Sequence, residues 1–357
     1  MGLKSLEITG FRNLDQVNIK PDQNLNIITG ANAAGKTSLL ESIFYLSYGR
    51  SFRHSKTKDL ISHDHDFFRL ITDLYPLDTR IGIEKSPQDQ TIRVNRKSIS
   101  KISELSTLLP VLVLHPDSHQ LISAGPDNRR QFMDWGVFHV EHDFINSWKN
   151  YKKALSQRNA SLRMRQSNKL CALWDNELVE HALNIVKFRN QYLYQLVDNV
   201  NLLSGELFPR HSIKLDHKRG WPDDISFKDN LTNNLEKDRE KGFTQSGPHR
   251  ADLKITVDGK SAQTSISRGQ QKKLVSLLKI AQLTLFSQTS NQQCILLFDD
   301  LPAELDKENQ FKIMDILSNL NIQLFITSIE NDLIDYKTWE SYKVFHVEHG
   351  IVTEVPD

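Results

Sequence analysis

The stretch that most limits what this chain can become is Ile27–Leu40, I-I-T-G-A-N-A-A-G-K-T-S-L-L. Gly30, Gly35, Lys36 and Thr37 fit G-x-x-x-x-G-K-[ST], with Ala31, Asn32, Ala33 and Ala34 filling the loop and Ser38 following it. Leu25, Ile27 and Ile28 ahead of it read as a short buried strand. Leu39, Leu40, Ile43, Phe44 and Leu46 behind it recur at helical spacing, and Gly49 suits the helix end. A glycine loop between strand and helix is an anion cradle, because backbone N–H groups and the positive end of the helix dipole converge there. Lys36 can then reach the β/γ-phosphates, and the Thr37 hydroxyl can ligate Mg²⁺. Alanine tolerates positive φ poorly, so Ala33 and Ala34 are expected at φ < 0. The plain alternative is a turn that happens to hold two glycines and a lysine; the correct flanks on both sides argue against it.

The chain has 357 residues, 38% hydrophobic and 25% charged, enough for one large domain or two smaller ones with a real core. Its net charge of +1 means that nucleic-acid affinity must come from a local patch. The two cysteines, Cys171 and Cys294, lie far apart and suggest no disulfide framework, and Cys294 reads as a small buried hydrophobe. No signal segment opens the sequence and no apolar run is long enough to span a membrane, so a cytoplasmic protein is expected.

Leu3–Phe11 alternates as a strand, with Val17 and Ile19 marking its hairpin partner. Three alternating runs within 67–94 predict an antiparallel meander, and Val111–Leu114 a short buried strand. Residues 127–207 carry few glycines or prolines and show helical periodicity. Between Asp143 and Leu170 the only acid is Asp143, against Lys149, Lys152, Lys153, Arg158, Arg163, Arg165 and Lys169, with Trp148 and Tyr151 interleaved. A solvated helix face and a phosphate-backbone surface both fit that run. Ser212–Leu215 and L-K-I-T-V after Asp252 read as strands. The expected architecture is an α/β nucleotide-binding lobe from residues 1–115 and 250–357, interrupted by a mainly helical lobe at 116–249. His63-Asp64-His65-Asp66 lacks a second half and reads as a loop, not a metal site.

Cys294–Asp300, C-I-L-L-F-D-D, describes a buried strand that delivers two acids to the C-terminal edge of a sheet, where α/β folds bind ligands. Asp299 is placed to hold Mg²⁺ opposite Thr37, and Asp300 to polarise the attacking water. Ser267-Arg268-Gly269-Gln270 opens a helix with an apolar face of Leu274, Leu277, Leu278, Ala281 and Leu285. Ser267 and Gln270 make a capping box, and the same helix start is a second phosphate site. One nucleotide does not need two such cradles in one chain; two copies facing each other do.

S-R-G-Q-Q about thirty residues before the paired acids, followed by Ala303-Glu304-Leu305-Asp306, resembles the signature motif, Walker B strand and D-loop of ABC-type ATPases. Roughly 230 residues separate Lys36 from Ser267, which resembles the DNA-maintenance branch that includes the SMC proteins, and no transporter switch histidine follows Gln323–Thr327, where Thr327 and Ser328 stand. Within that branch the chain resembles the RecF family: I-T-G-F-R-N-L at 8–14, G-R-S-F-R at 49–53, G-P-D-N-R-R-Q-F-M-D-W-G at 125–136, Q-R-N-A at 157–160, G-P-H-R-A-D-L at 247–253 and D-D-L-P-A-E-L-D at 299–306. The resemblance implies an ABC-type ATPase head with ATP and Mg²⁺ and ATP-dependent homodimerisation. It also implies weak DNA-stimulated hydrolysis, binding of double-stranded DNA near gaps or junctions, and work with RecR in loading RecA, with no membrane partner. It puts Arg12 and Asn13 near the nucleotide, Arg50 or Arg53 near phosphate or DNA, and Ser267, Arg268, Gly269, Gln270 and Asp306 in a composite site. DNA contacts are expected from Arg50, Arg53, Lys149, Lys152, Lys153, Arg158 and Arg163. His115, Asp117 and Gln120 are equal candidates to replace the missing glutamine contact after Val111–Leu114. The alternative is an SMC-like ATPase subunit of another DNA-processing or nuclease complex.

Overall fold

The computed structural model describes residues 2–53, 55–304, 306–329 and 336–356. Two compact units emerge: one holds the chain up to Ser118 and from Phe286 onward, the other is His119–Leu285.

The first unit carries two six-stranded sheets. One runs Leu14–Ile19, Gly2–Phe11, Phe68–Tyr75, Thr79–Lys85, Gln90–Val94 and Lys97–Ser98, antiparallel throughout. This is the meander, and its alternating burial, as in Phe68–Tyr75, follows from having one covered face. The other sheet runs Ile351–Val355, Tyr342–Glu348, Leu25–Thr29, Ile322–Thr327, Cys294–Phe298 and Val111–Leu114, parallel apart from the first pair. Leu25–Thr29, Ile322–Thr327 and Cys294–Phe298 are buried at every position. Strands covered on both faces must be almost wholly apolar, which is why they read as continuous runs. Helix Lys36–Tyr48 packs Leu39, Leu40 and Ile43 into a core shared with Ile28, Leu70, Ile81 and Phe325, and ends at Gly49 in the left-handed conformation. Gln323 is polar inside the parallel sheet because its amide meets the Leu3 backbone from both sides, at 2.7 and 3.0 Å, and also donates to Asp22 O at 2.7 Å.

The second unit is built on helices Pro126–Val140, Phe144–Arg163 and Asp175–Leu207, with an antiparallel sheet of Lys260–Ser261, Asp252–Val257 and Ile213–Lys218. It also holds the start of helix Arg268–Thr289. The unit thus begins near the expected boundary after 115 but extends past 249 to Leu285. The reason is pairing: strand Asp252–Val257 completes a ladder with Ile213–Lys218, Asp252 takes Arg129 at 2.7 Å, and Gln282 donates to Phe132 O at 2.8 Å. Both cysteines are buried and free.

The second unit overturns one expected DNA contact. Arg158 is fully buried: Nε donates to Asp175 at 2.8 Å, and Nη1 to Asp238 and Thr244, each at 2.7 Å. An arginine desolvated this completely needs carboxylates around it, and it has two. Lys149, Lys152, Lys153 and Arg163, from the same helix, are exposed.

Candidate functional site

The order of the parallel sheet decides the site. Strand Ile322–Thr327 lies between the phosphate-loop strand and the strand that ends before Asp299. Its last residue, Thr327, therefore lands between the loop and the acids. Asp299 Oδ1 accepts from Thr37 Oγ1 at 3.0 Å and from Thr327 Oγ1 at 2.8 Å, and Asp300 N donates to Thr327 Oγ1 at 2.7 Å. Asp299 is buried, which raises its pKa; bonds from Thr327 and Thr37 and the charge of Arg53 oppose this, and Asp300 adds to it. Asp300 sits at φ +59, a left-handed position that turns the chain sharply away from Asp299. A hydroxyl and a carboxylate 3.0 Å apart at the carboxyl end of a parallel sheet are hard oxygen donors suited to Mg²⁺, which would complete its shell with phosphate oxygens and water.

The loop is stitched from below. Asn13 Nδ2 donates to Ala34 O at 3.1 Å, and Asn13 Oδ1 accepts from Ser38 Oγ at 2.8 Å. Gly350 N donates to Ala34 O at 2.9 Å. Gly35 caps the helix at φ +126, with the Asn13 amide 3.0 Å from where a Cβ would stand. Lys36 Nζ lies on the loop's own carbonyls, Gly30 O at 2.6 Å and Ala31 O at 2.9 Å. Burial lowers its pKa, while Asp300 and Asp299 pull the other way. Ala31, Asn32 and Ala33 are exposed along the loop's outer side.

Ala33 contradicts its expectation, adopting φ +64. The loop reverses within four residues, with Ala34 N donating to Ala31 O at 3.2 Å, and the turn is of the kind whose third residue is left-handed, the place Ala33 occupies. A left-handed alanine costs about 1 kcal/mol. Ala33→Gly is therefore expected to raise stability by about 1 kcal/mol, read by chemical denaturation. Unchanged or lower stability would show that the alanine is unstrained.

Arg12 bonds to the phosphate-loop helix through Glu41. Its Nε and Nη2 grip Glu41 at 3.0 and 2.8 Å, and Nη1 donates to Asp59 O at 2.9 Å. Glu41 is fully buried on the phosphate-loop helix, accepts from Ser51 Oγ, and has Arg53 Nη1 at 3.9 Å. Glu41 is missed in sequence, and Thr327 is located there at the switch position without a role. The lone acid of the phosphate-loop helix was the available signal for the first; the position of the second at its strand's end was legible, but its bond to Asp299 was not. Arg53 stands between Glu41 and Asp299 in its influence, and Arg50 is exposed with no such tie.

Ser267 and Gln270 form the expected reciprocal cap: Ser267 N donates to Gln270 Oε1 at 3.0 Å, and Gln270 N to Ser267 Oγ at 3.3 Å. Ser267, Arg268, Gly269 and Gln270 are all exposed. Asp306 caps helix Lys307–Ser318 by accepting from Asn309 N at 2.9 Å, while Leu305 lies outside the described residues. Of the three candidates after Val111–Leu114, His115 stacks near Phe52 with centroids 5.2 Å apart, and Asp117 and Gln120 are exposed. His63, Asp64, His65 and Asp66 form no metal-binding group with any other residue described. No helix among the described residues is long and apolar enough to cross a membrane.

Comparison with known proteins bears on the whole chain. The RecF/RecN/SMC N terminal domain family model matches residues 2–353. The DNA replication and repair protein RecF of Thioalkalivibrio sulfidiphilus (strain HL-EbGR7) is 38% identical over 354 residues, covering 98% of each chain. That of Cellvibrio japonicus (strain Ueda107) is 40% identical over 362 residues, covering 99% of each. Among solved structures, the recombination mediator protein RecF-ATP in the RecFOR pathway superposes with a TM-score of 0.86 at 27% identity, covering 99% of this chain and 97% of that one. The Smc head domain of Pyrococcus furiosus, with an extended coiled coil and bound to the C-terminal domain of ScpA, shares the fold at a TM-score of 0.60 and 16% identity, covering 99% and 95%.

Proposed function

The chain belongs to the RecF family of DNA replication and repair proteins, within the RecF/RecN/SMC group, and from that premise we propose that it is an ATP-driven DNA clamp of recombinational repair. ATP binds at Gly30–Ser38. Mg²⁺ is held by Thr37 and Asp299, and Asp300 orients the attacking water. A second copy supplies Ser267 and the Gly269 N–H to the γ-phosphate held by Lys36, so two chains close over two nucleotides. The closed pair grips duplex DNA near single-strand gaps, slow hydrolysis releases it, and the complex assists RecR-dependent loading of RecA.

The observation that carries this reading is the Thr37–Asp299 contact of 3.0 Å at the sheet edge. It brings together, from residues far apart in sequence, the hydroxyl and the carboxylate that would hold Mg²⁺ beside the loop. The exposed cap Ser267–Gln270 supports the composite site, because a helix start that faces solvent is free to meet a neighbour's phosphate. Molecular mass with and without ATP tests the proposal. A dimer is expected only with ATP, and Ser267→Arg is expected to bind ATP yet stay monomeric. A parent protein that binds ATP but remains a monomer sinks it.

A further inference from the structure

All six residues of strand Ile322–Thr327 are buried, and only Gln323 and Thr327 are polar. Gln323 ties the strand to Leu3 and Asp22. Thr327 has different partners. Side chains alternate along a strand, and Phe325 packs in the core that holds Leu39, Leu40 and Ile43 of helix Lys36–Tyr48. Thr327, two residues on, therefore faces the side of the sheet that the phosphate-loop helix covers. The hydroxyl of the next residue, Ser328, is buried with no hydrogen-bond partner among the described residues.

One atom, Thr327 Oγ1, joins the two acids. It donates to Asp299 Oδ1 at 2.8 Å and accepts from Asp300 N at 2.7 Å. A threonine hydroxyl has one proton to give, and here it goes to Asp299. From the neighbouring strand on the other side, Leu114 O accepts from Asp299 N at 2.8 Å. Asp300 stands at φ +59, a conformation that costs a residue with a side chain about 1 kcal/mol and persists only where the surroundings fix it. The bond from its N–H to Thr327 supplies that fixing. Thr37 also donates to Asp299 Oδ1, at 3.0 Å, but its hydroxyl is the one assigned to Mg²⁺. Thr327 has no such second duty. Valine has the same shape and an equal liking for a strand, so the hydroxyl, not the packing, distinguishes this position.

We propose that Thr327 is a positioning residue for ATP hydrolysis: its hydroxyl holds Asp299 toward Thr37 and fixes the turn from which Asp300 orients water. This role rests on the Mg·ATP site proposed above and adds to it the residue that keeps its two acids in a fixed relation. Thr327 acts through the acids.

The test compares Thr327→Val and Thr327→Ser with the parent, all as the full chain. Phosphate release is measured at saturating ATP. Binding of a fluorescent ATP analogue is followed through a Mg²⁺ titration that starts in EDTA. Thr327→Val is expected to bind the analogue in EDTA as the parent does, because the phosphate loop is untouched. Its Mg²⁺ midpoint is expected to rise and its turnover to fall, each roughly 10–100-fold, the usual cost of removing a partner that orients a metal ligand. Thr327→Ser keeps the hydroxyl and is expected to restore both. Ser328→Ala, next door, is expected to match the parent in both. Parent-like turnover and Mg²⁺ midpoint in Thr327→Val overturn the positioning role. Loss of analogue binding in EDTA by that variant also overturns it, since Thr327 would then serve the fold of the loop. A parent that binds the analogue without any response to Mg²⁺ overturns the metal site of the proposed function, and the role of Thr327 falls with it.

Discussion

Lys36→Ala is expected to lower ATP turnover by on the order of 10²–10³-fold and to abolish the ATP-dependent dimer. Lys36 Nζ already lies within 2.6 Å of Gly30 O and 2.9 Å of Ala31 O, at the mouth of the loop. A phosphate offers a full negative charge in place of two neutral carbonyls, so the ammonium gains by turning to it. Among the described residues the nearby cations are tied elsewhere: Arg12 is ion-paired with Glu41, and Arg53 lies 3.9 Å from it. The measurement is phosphate release alongside molecular mass with ATP. Turnover within threefold of the parent would mean that the site's charge is supplied elsewhere.

Arg158→Ala carries the largest expected effect on stability, about 3–5 kcal/mol. The substitution leaves Asp175 and Asp238 buried around a missing cation, and Thr244 loses one of its partners. Thr244 is also held through Asn159 Oδ1, at 2.8 Å from both its N and its Oγ1, so the damage extends to the strap that carries His249. Lys153→Ala, one turn away and exposed, is expected to stay within about 0.5 kcal/mol. Chemical denaturation of the two variants side by side decides it. Equal midpoints would show that Arg158 adds nothing to the fold.

These two residues mark the difference between what is local in sequence and what is not. Lys36 could be assigned because a glycine loop, its lysine and its hydroxyl lie within eight positions, and their geometry follows from the strand before and the helix after. The capping box at Ser267 and Gln270 is equally local, and the structure forms it as expected. Arg158 looked like its neighbours because a basic run shows no facing side. Which cation turns inward depends on acids 17 and 80 positions away.

Sequence alone determined the phosphate loop, the acid pair after a buried strand, the helical insertion and the family. Each rests on residue types that chemistry demands at short spacing, or on periodicities that burial imposes. Tertiary structure alone decided that Thr327 would join Thr37 in donating to Asp299 Oδ1, because sheet order sets its strand between those of the loop and the acids. It also decided that Arg12 would serve Glu41, that Ala33 would take a left-handed turn, and that 250–285 would join the second unit. These outcomes depend on partners supplied by distant parts of the chain, or on closure of a whole loop. A residue's own type and its near neighbours do not contain that information.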